Sequence, residues 1–178
     1  GEAVLATENG IETLLIGTYA MVDGVSNNGF SWQAAASNWV FGAIRGMEAN
    51  KGSDAGDQPD INPIQTYSEA TTNPYLNIKW RSLYEGISRA NSTILVINTA
   101  LEEGNITQEQ ATNYLRQARA LRGHYHFEAW KMWEDVPYVD ENANQSELTN
   151  TADPSDQIIA DLEEGADLPN NMGQIGRF

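Results

Sequence analysis

The chain has 178 residues, with 25 acidic and 10 basic side chains and a formal net charge of −15. Binding to nucleic acid phosphates or to anionic lipid requires an excess of Lys and Arg, so this composition argues against both. Hydrophobic residues make up 40% of the chain and include five Trp, which is enough for a folded core and argues against disorder. No apolar run approaches the roughly 20 residues of a membrane span. The absence of cysteine excludes disulfides and thiolate metal sites.

Five segments place apolar residues at three- and four-residue steps, a spacing that predicts amphipathic helices. In chain order they are residues 7–23, 37–50, 75–100, 107–135 and 153–168. Thr107 and Gln110 have the spacing of a capping box at the start of the fourth helix, and Pro137 forbids its continuation. Gly42 and Gly46 each weaken the second helix by about 1 kcal/mol relative to alanine, so its formation depends on packing.

Polar side chains on these helices are expected to serve structure. Ser37 or Asn38 can cap the second helix, and Asp153, followed by Pro154, can cap the fifth. The fourth helix carries three arginines spaced by three residues, namely Arg116, Arg119 and Arg122. We expect these arginines to form ion pairs with acids of the third helix or of the following loop rather than to bind a ligand.

The third and fourth helices are long and are joined by a short turn at Gly104-Asn105, which predicts an antiparallel pair. Such pairs occur in tetratricopeptide-like proteins, although this chain has no repeat of fixed period. Residues 52–74 are rich in Gly, Pro, Asp and Asn without a clear period, which predicts a long and functional loop. The predicted fold class is all-α, with helical hairpins and one long irregular loop in a single region of residues 1–178.

No group of residues has the pattern of a catalytic, metal or cofactor site. His124 and His126 are two residues apart, so on a helix they point away from each other and cannot share a metal. The spacing of Asp54, Asp57 and Asp60 resembles an EF-hand loop, but the glycine and glutamate that such a loop requires are absent. Paired carboxylates are common, yet no motif places two of them across a sugar, as in a glycosidase. We therefore expect no catalytic residues, no metal and no cofactor.

Aromatic residues in or beside loops are the candidate binding residues. They are Trp32, Tyr67 and Tyr75. A loop aromatic has no core to fill, and a flat ring can stack on the C–H face of a pyranose. The neighbouring polar candidates, which can form hydrogen bonds with sugar hydroxyls, are Asp54, Asp57 and Asn62. This combination on one loop is typical of a carbohydrate platform.

Two long motifs resemble one known family. Residues 118–139 read ARALRGHYHFEAWKMWEDVPYV, which resembles the segment A-R-F-L-R-A-x-Y-Y-F-x-L-x-x-x-Y-G-x-V-P of the SusD/RagB family of Bacteroidetes. Residues 80–91 read WRSLYEGISRAN, which is similar to the family's W-x-x-L-Y-x-x-I-x-R-A-N. Ala120, Gly123 and Glu134 stand where the family usually has Phe, Ala and Gly. The resemblance covers nearly the whole chain in the same order.

The resemblance implies a SusD-like, tetratricopeptide-like helical fold and a non-catalytic role. Members of the family are about three times as long as this chain. This chain would be the N-terminal helical region of an outer-membrane, surface-exposed nutrient-binding lipoprotein. Its lipid anchor would lie before Gly1. The implied ligand is an oligosaccharide or polysaccharide, which would pass to a SusC-like TonB-dependent transporter. In that family, sugar contacts from the N-terminal half come from the segment before the W-x-x-L-Y helix, in this chain residues 52–75, which include Tyr67 and Tyr75.

Two other functions stay open from the sequence alone. A helical-repeat scaffold that binds only protein would use its long helices for the contact, and deletion of the loop would leave its binding unchanged. An all-α glycoside hydrolase or lyase fragment would release reducing sugars from a polysaccharide. The sequence does not define which glycan or peptide is bound, or the oligomeric state.

Overall fold

Helices dominate the computed structural model, which describes residues 5–26, 29–30, 38–52, 54 and 56–168. Its α-helices are α1 (Glu8–Tyr19), α2 (Ile61–Gln65), α3 (Pro74–Glu102), α4 (Gln108–Trp133) and α5 (Ser155–Ala166). The shorter elements are 3-10 turns at Ala20–Asp23 and Gln145–Glu147, a π-helical turn at Val40–Ile44, and the strands β1 (Val25–Ser26) and β2 (Gly29–Phe30). The strands pair antiparallel, with Val25 opposite Phe30. The predicted all-α fold class is confirmed.

The chain divides into two compact units. The first consists of Gly1–Ala20 and Leu83–Phe178, and the second is Met21–Ser82. The core of the first unit is formed by apolar residues of α1, α3 and α4 and of the adjoining turns. They are Ala6, Ile11, Leu15, Ile94, Ile97, Ala100, Ile106, Ala111, Tyr114 and Ala118. Most of these positions belong to the stripes that the three- and four-residue spacing predicts.

Local sequence signals place the ends of the long helices. The Thr107 hydroxyl accepts a hydrogen bond from the Gln110 N–H (3.2 Å), and the Gln110 side chain accepts one from the Thr107 N–H (2.8 Å). This reciprocal pair is the predicted capping box, and it satisfies two N–H groups that would otherwise lack partners. Within the described residues, no helix has the length and apolar character that crossing a membrane would require.

The prediction of a second helix over residues 37–50 is wrong. Only a single π-helical turn forms, at Val40–Ile44. Asn38 does not cap it, because Asn38 itself has a left-handed backbone (φ 46°) and no side-chain cap bond is present there. Ser37 lies outside the described residues. Gly42 and Gly46 add about 1 kcal/mol each against an α-helix, and the left-handed backbone of Met47 (φ 61°) is incompatible with a helix that continues to residue 50.

Three ion pairs join α4 to α5 and its end. From the exposed end inward they are Arg116–Asp167 (3.1 Å), Arg119–Glu164 (2.7 Å) and Arg122–Asp161 (2.7 Å). Residues three apart lie on one side of a helix, so two antiparallel rows meet in register. The prediction of structural ion pairs is confirmed. These three acids lie on α5 and at its end rather than on the third helix, whereas the predicted pairing with the loop after α4 is made by Arg122 with Glu141. The pairing turns a polar side of α5 inward and leaves Ile159 52% exposed.

Arg122 is the buried end of this row and the centre of a polar cluster. Its Nε and Nη2 donate to both carboxylate oxygens of Asp161, each at 2.7 Å. Its Nη1 donates to Glu141 (2.5 Å) and to the Asn91 side-chain oxygen (3.1 Å). The Tyr138 hydroxyl donates to Asp161 (2.7 Å), so the buried carboxylate has several donors. Buried charges need such compensation because leaving water is costly.

His126 fixes the segment that follows α4. Its Nε2 accepts a hydrogen bond from the Val139 N–H (3.0 Å), so its Nδ1 carries the proton and donates to the Arg122 carbonyl (3.0 Å). The ring stacks on Tyr138 with centroids 4.5 Å apart. Asn91 adds a bond to the Val139 carbonyl (2.9 Å). Residues 136–141 are therefore held on the helices by side chains rather than by a strand or helix.

The family departures at Ala120 and Gly123 have a packing explanation. A Cβ on Gly123 would lie 2.9 Å from the Asp161 Cβ, and a Cβ on Gly165 would lie 2.8 Å from the Ala120 Cβ. Both distances are shorter than packed carbon atoms allow. Small residues at these points let α4 and α5 approach closely, and a phenylalanine in place of Ala120 would occupy the space that α5 fills.

Glu134, which stands where the family usually has glycine, follows α4 with a left-handed backbone (φ 56°). Replacing Glu134 by glycine is expected to raise the free energy of unfolding by roughly 0.5–1 kcal/mol, because glycine adopts this conformation without the steric cost of a Cβ. Asp135→Gly is the matched control, since Asp135 does not have a positive φ. Urea denaturation should show the control to be less stable than the unsubstituted chain. A loss of stability in Glu134→Gly would contradict the prediction.

Candidate functional site

The loop from Lys51 to Asp60 is organised by its own polar groups. The Lys51 ammonium donates to the carbonyl of Asp54 (2.9 Å) and to the carbonyl of Asp57. The Asp54 carboxylate accepts hydrogen bonds from the N–H groups of Gly56 (2.7 Å) and Asp57 (3.1 Å). Asp54, a predicted sugar contact, thus already holds a turn together, while its surface stays exposed. Asp57 is also exposed on this loop.

The short helix α2 attaches the loop to the second unit. Ile61 and Ile64 of α2 are fully buried in a core with Val40 and Ile44. The loop is therefore docked on this core through its two isoleucines. Asn62, another predicted contact, lies half-buried on α2.

Tyr75 belongs to that core. It is 3% exposed, and its hydroxyl donates to the Gln58 side-chain oxygen at 2.5 Å. Burial raises the pKa of the Tyr75 hydroxyl, and the nearby charges of Asp60 and Asp57 add to the shift. The expectation that Tyr75 has no core to fill is wrong. The spacing of apolar residues along the sequence did not predict the burial of Tyr75, because the core that it joins is built from short segments that are far apart in sequence.

Tyr67 is presented differently. It is 55% exposed, and its hydroxyl donates to the carbonyl of Arg45. The Arg45 guanidinium lies over the ring, 4.8 Å from its centroid, and forms an ion pair with Glu69. The ring is thus held by a cation–π contact and a hydrogen bond, while much of its surface is open. We call Tyr67, Arg45 and Glu69 the tyrosine platform.

Backbone strain is concentrated in the second unit. Among the described non-glycine residues five have a positive φ, and four of these lie in this unit: Asn38, Met47, Gln58 and Tyr67. Met47, two residues after Arg45, is also 78% exposed. Strained conformations persist only where surrounding structure enforces them, and they cluster at binding sites. The strain therefore favours a functional role for the surface around Tyr67.

The structure brings together only some of the predicted residues. Tyr67 is joined by Arg45 and Glu69, two residues that were not predicted and that lie 24 positions apart in the sequence. No local pattern marks such a pair. Trp39, at the edge of the π-helical turn, is an additional partly exposed aromatic residue. Trp32 lies outside the described residues. In the part of the chain that the structure describes, no cluster of three or more His, Asp or Glu side chains is arranged to hold a metal ion.

The comparisons with known proteins agree on one family. Residues 20–175 match the model of a SusD-like family described as "Starch-binding associating with outer membrane". No curated protein matches the chain. A solved "Laminarin binding SusD-like protein" is 26% identical, with a TM-score of 0.74 over 97% of this chain and 37% of that protein.

Two further solved structures share the fold. Surface glycan-binding protein A from Bacteroides thetaiotaomicron is 22% identical, with a TM-score of 0.70 over 98% of this chain and 36% of that protein. Surface glycan-binding protein A from Bacteroides fluxus is 21% identical, with a TM-score of 0.69 over 96% of this chain and 36% of that protein. This chain spans little more than a third of each of the three proteins. Because the family model matches residues 20–175, the chain belongs to the SusD/RagB family of SusD-like proteins.

Proposed function

We propose that the protein binds a glycan at the bacterial cell surface without catalysis and that the tyrosine platform contributes to the binding site. The observation that carries the proposal is the exposed, immobilised ring of Tyr67. A ring that is already fixed loses little conformational entropy when a pyranose stacks on it. The family description and the glycan-binding titles of the solved relatives support the same ligand class.

The chemistry of the platform supports binding rather than hydrolysis. A glycosidase requires one protonated and one ionised carboxyl group placed across the sugar. Glu69, the carboxylate of the platform, is engaged in an ion pair with Arg45. Asp54 is committed to backbone N–H groups of its loop. Purified protein should therefore release no reducing sugar from a polysaccharide that it binds.

We also propose that the protein is lipid-anchored in the outer membrane and delivers its glycan to a SusC-like TonB-dependent transporter. The family description, which associates these proteins with the outer membrane, supports the location. The coverage of 36–37% of the solved relatives supports a longer protein of which this chain is the N-terminal helical region. Co-purification of a TonB-dependent transporter with the protein from its native membrane would test the partnership, and the absence of any such transporter from the preparation would contradict it.

Tyr67→Ala is expected to weaken glycan binding about tenfold, because the stacking surface is lost. The measurement is isothermal titration with starch and laminarin oligosaccharides. Tyr67→Phe keeps the ring but loses the hydroxyl that donates to the Arg45 carbonyl, so a smaller loss is expected. Phe127→Ala removes an exposed aromatic residue of the other unit and should bind normally. Equal affinity of Tyr67→Ala and the unsubstituted chain would remove Tyr67 from the site.

A further inference from the structure

Exposed and unpaired positive charge is scarce in the part of the chain that the structure describes. Of its 10 basic residues, Arg177 lies outside the described part of the chain, and six of the others form ion pairs with carboxylates. These six are Arg45, Arg89, Arg116, Arg119, Arg122 and Lys131. An arginine already neutralised by a carboxylate attracts an anionic ligand only weakly, because the paired acid repels that ligand.

The three remaining basic residues of the described chain are Lys51, Lys79 and Arg81. Lys51 donates to the carbonyls of Asp54 and Asp57 and so holds its loop together. Lys79 is buried. Arg81 alone, among the residues that the structure describes, is an exposed basic side chain with neither a carboxylate nor a carbonyl partner.

Exposed negative charge is abundant in the second unit, which contains the tyrosine platform. Glu48, Asp54, Asp57 and Asp60 of the second unit are all exposed. The whole chain has a net charge of −15, which adds a repulsive field that salt screens over about 8 Å at physiological ionic strength. This field would repel a uronic acid or a sulfated sugar. The arginine of the platform, Arg45, would offset little of that repulsion because it is already neutralised by Glu69. A neutral pyranose needs only the open ring and hydroxyl partners.

We propose that the tyrosine platform selects uncharged glycans and rejects polyanionic ones that carry carboxylate or sulfate groups. This inference rests on the proposed function, since it names the ligand class of the same site. It assigns the discrimination to charge repulsion and to the neutralisation of Arg45 by Glu69.

The test compares each neutral glucan with its own carboxylated form. Starch and laminarin oligosaccharides are titrated beside the same material oxidised at the primary hydroxyl, in about 50 mM and about 500 mM salt. The oxidised form of the glucan that binds is expected to be at least about tenfold weaker at low salt, and the gap should narrow at high salt. Equal or tighter binding of the oxidised form would overturn the inference and leave the proposed function standing. Binding of neither form would overturn the proposed function and this inference with it.

Charge variants separate repulsion from the loss of a hydroxyl contact. Glu69→Gln frees Arg45, so binding of the oxidised glucan should strengthen relative to the neutral one. Glu163→Gln changes the net charge equally at an exposed position of α5 and should leave that ratio nearly unchanged. An unchanged ratio in Glu69→Gln would contradict the role assigned to the Arg45–Glu69 pair.

Discussion

Replacing Arg122 by methionine is expected to lower the free energy of unfolding by about 3–5 kcal/mol. The substitution leaves the Asp161 carboxylate buried without its bidentate partner, and Glu141 loses its Arg122 contact as well. An uncompensated buried charge costs far more than the pair contributes when complete, because the remaining carboxylate has given up its hydration. Since small domains are stable by only about 5–15 kcal/mol, this is a large share of the total. Urea denaturation followed by circular dichroism at pH 7 measures it.

Arg116→Met is the matched control within the same row of ion pairs. Its partner Asp167 has a side chain that is 70% exposed, so water replaces the lost interaction and the expected cost is below about 1 kcal/mol. Arg122→Met combined with Asp161→Asn should recover part of the loss, since asparagine carries no charge and its oxygen can still accept the Tyr138 hydroxyl. Similar losses in Arg116→Met and Arg122→Met would show that burial does not decide the energetics of this row.

Features with local causes could be predicted from the sequence. The capping box at Thr107 and Gln110 involves residues three apart, and the predicted start of α4 was confirmed. The apolar spacing along residues 75–100 predicted the helix Pro74–Glu102, because a helix of that length needs one continuous buried stripe. Both signals are contained within the segment that they describe, so no knowledge of the rest of the chain was necessary.

Features that depend on distant partners could not be predicted. The spacing of the arginines indicated ion pairs but contained nothing to select α5 over the third helix as the partner. The same limit explains the wrong second helix. Its apolar residues Val40 and Ile44 are buried as expected, but they pack on Ile61 and Ile64 from a single π-helical turn. The burial of these apolar residues was therefore predicted correctly, whereas the backbone conformation of their segment was not.

Part of the candidate site could be predicted from the sequence, and part of it could not. Composition directed attention to the loop 52–74, and Tyr67 does present an exposed ring there. Tyr75 has the same residue type and a similar position beside the loop, yet it is buried. The difference is set by which core lies nearby, which a single sequence does not encode in any local pattern. Arg45 and Glu69 became visible only through their contacts with each other and with Tyr67.

Protonation of His126 in the unfolded chain is expected to lower the free energy of unfolding by about 2 kcal/mol as the pH falls from 7 to 5. Burial lowers the pKa of His126 to about 3, the hydrogen bond to the Arg122 carbonyl opposes the shift, and the Arg122 charge adds to it. In the unfolded chain the pKa returns to its ordinary value of 6.5. The unfolded state therefore takes up a proton that the folded state refuses. Full stability is present above pH 6.5 and is lost progressively as the pH falls toward the folded value.

The window between pH 7 and pH 5 isolates this residue. Burial alone would raise the pKa of Glu141, but hydrogen bonds from its own backbone and from Arg122 outweigh it and lower the pKa below 4.5, so Glu141 loses its contribution only at more acidic pH. His126→Gln, which cannot titrate and can still accept from the Val139 N–H, should be less stable at pH 7 but nearly insensitive to pH in this window. His124→Gln should keep the acid sensitivity of the unsubstituted chain. Urea midpoints at pH 7, 6 and 5 measure all three proteins, and an equal slope in His126→Gln and the unsubstituted chain would show that another group carries the effect.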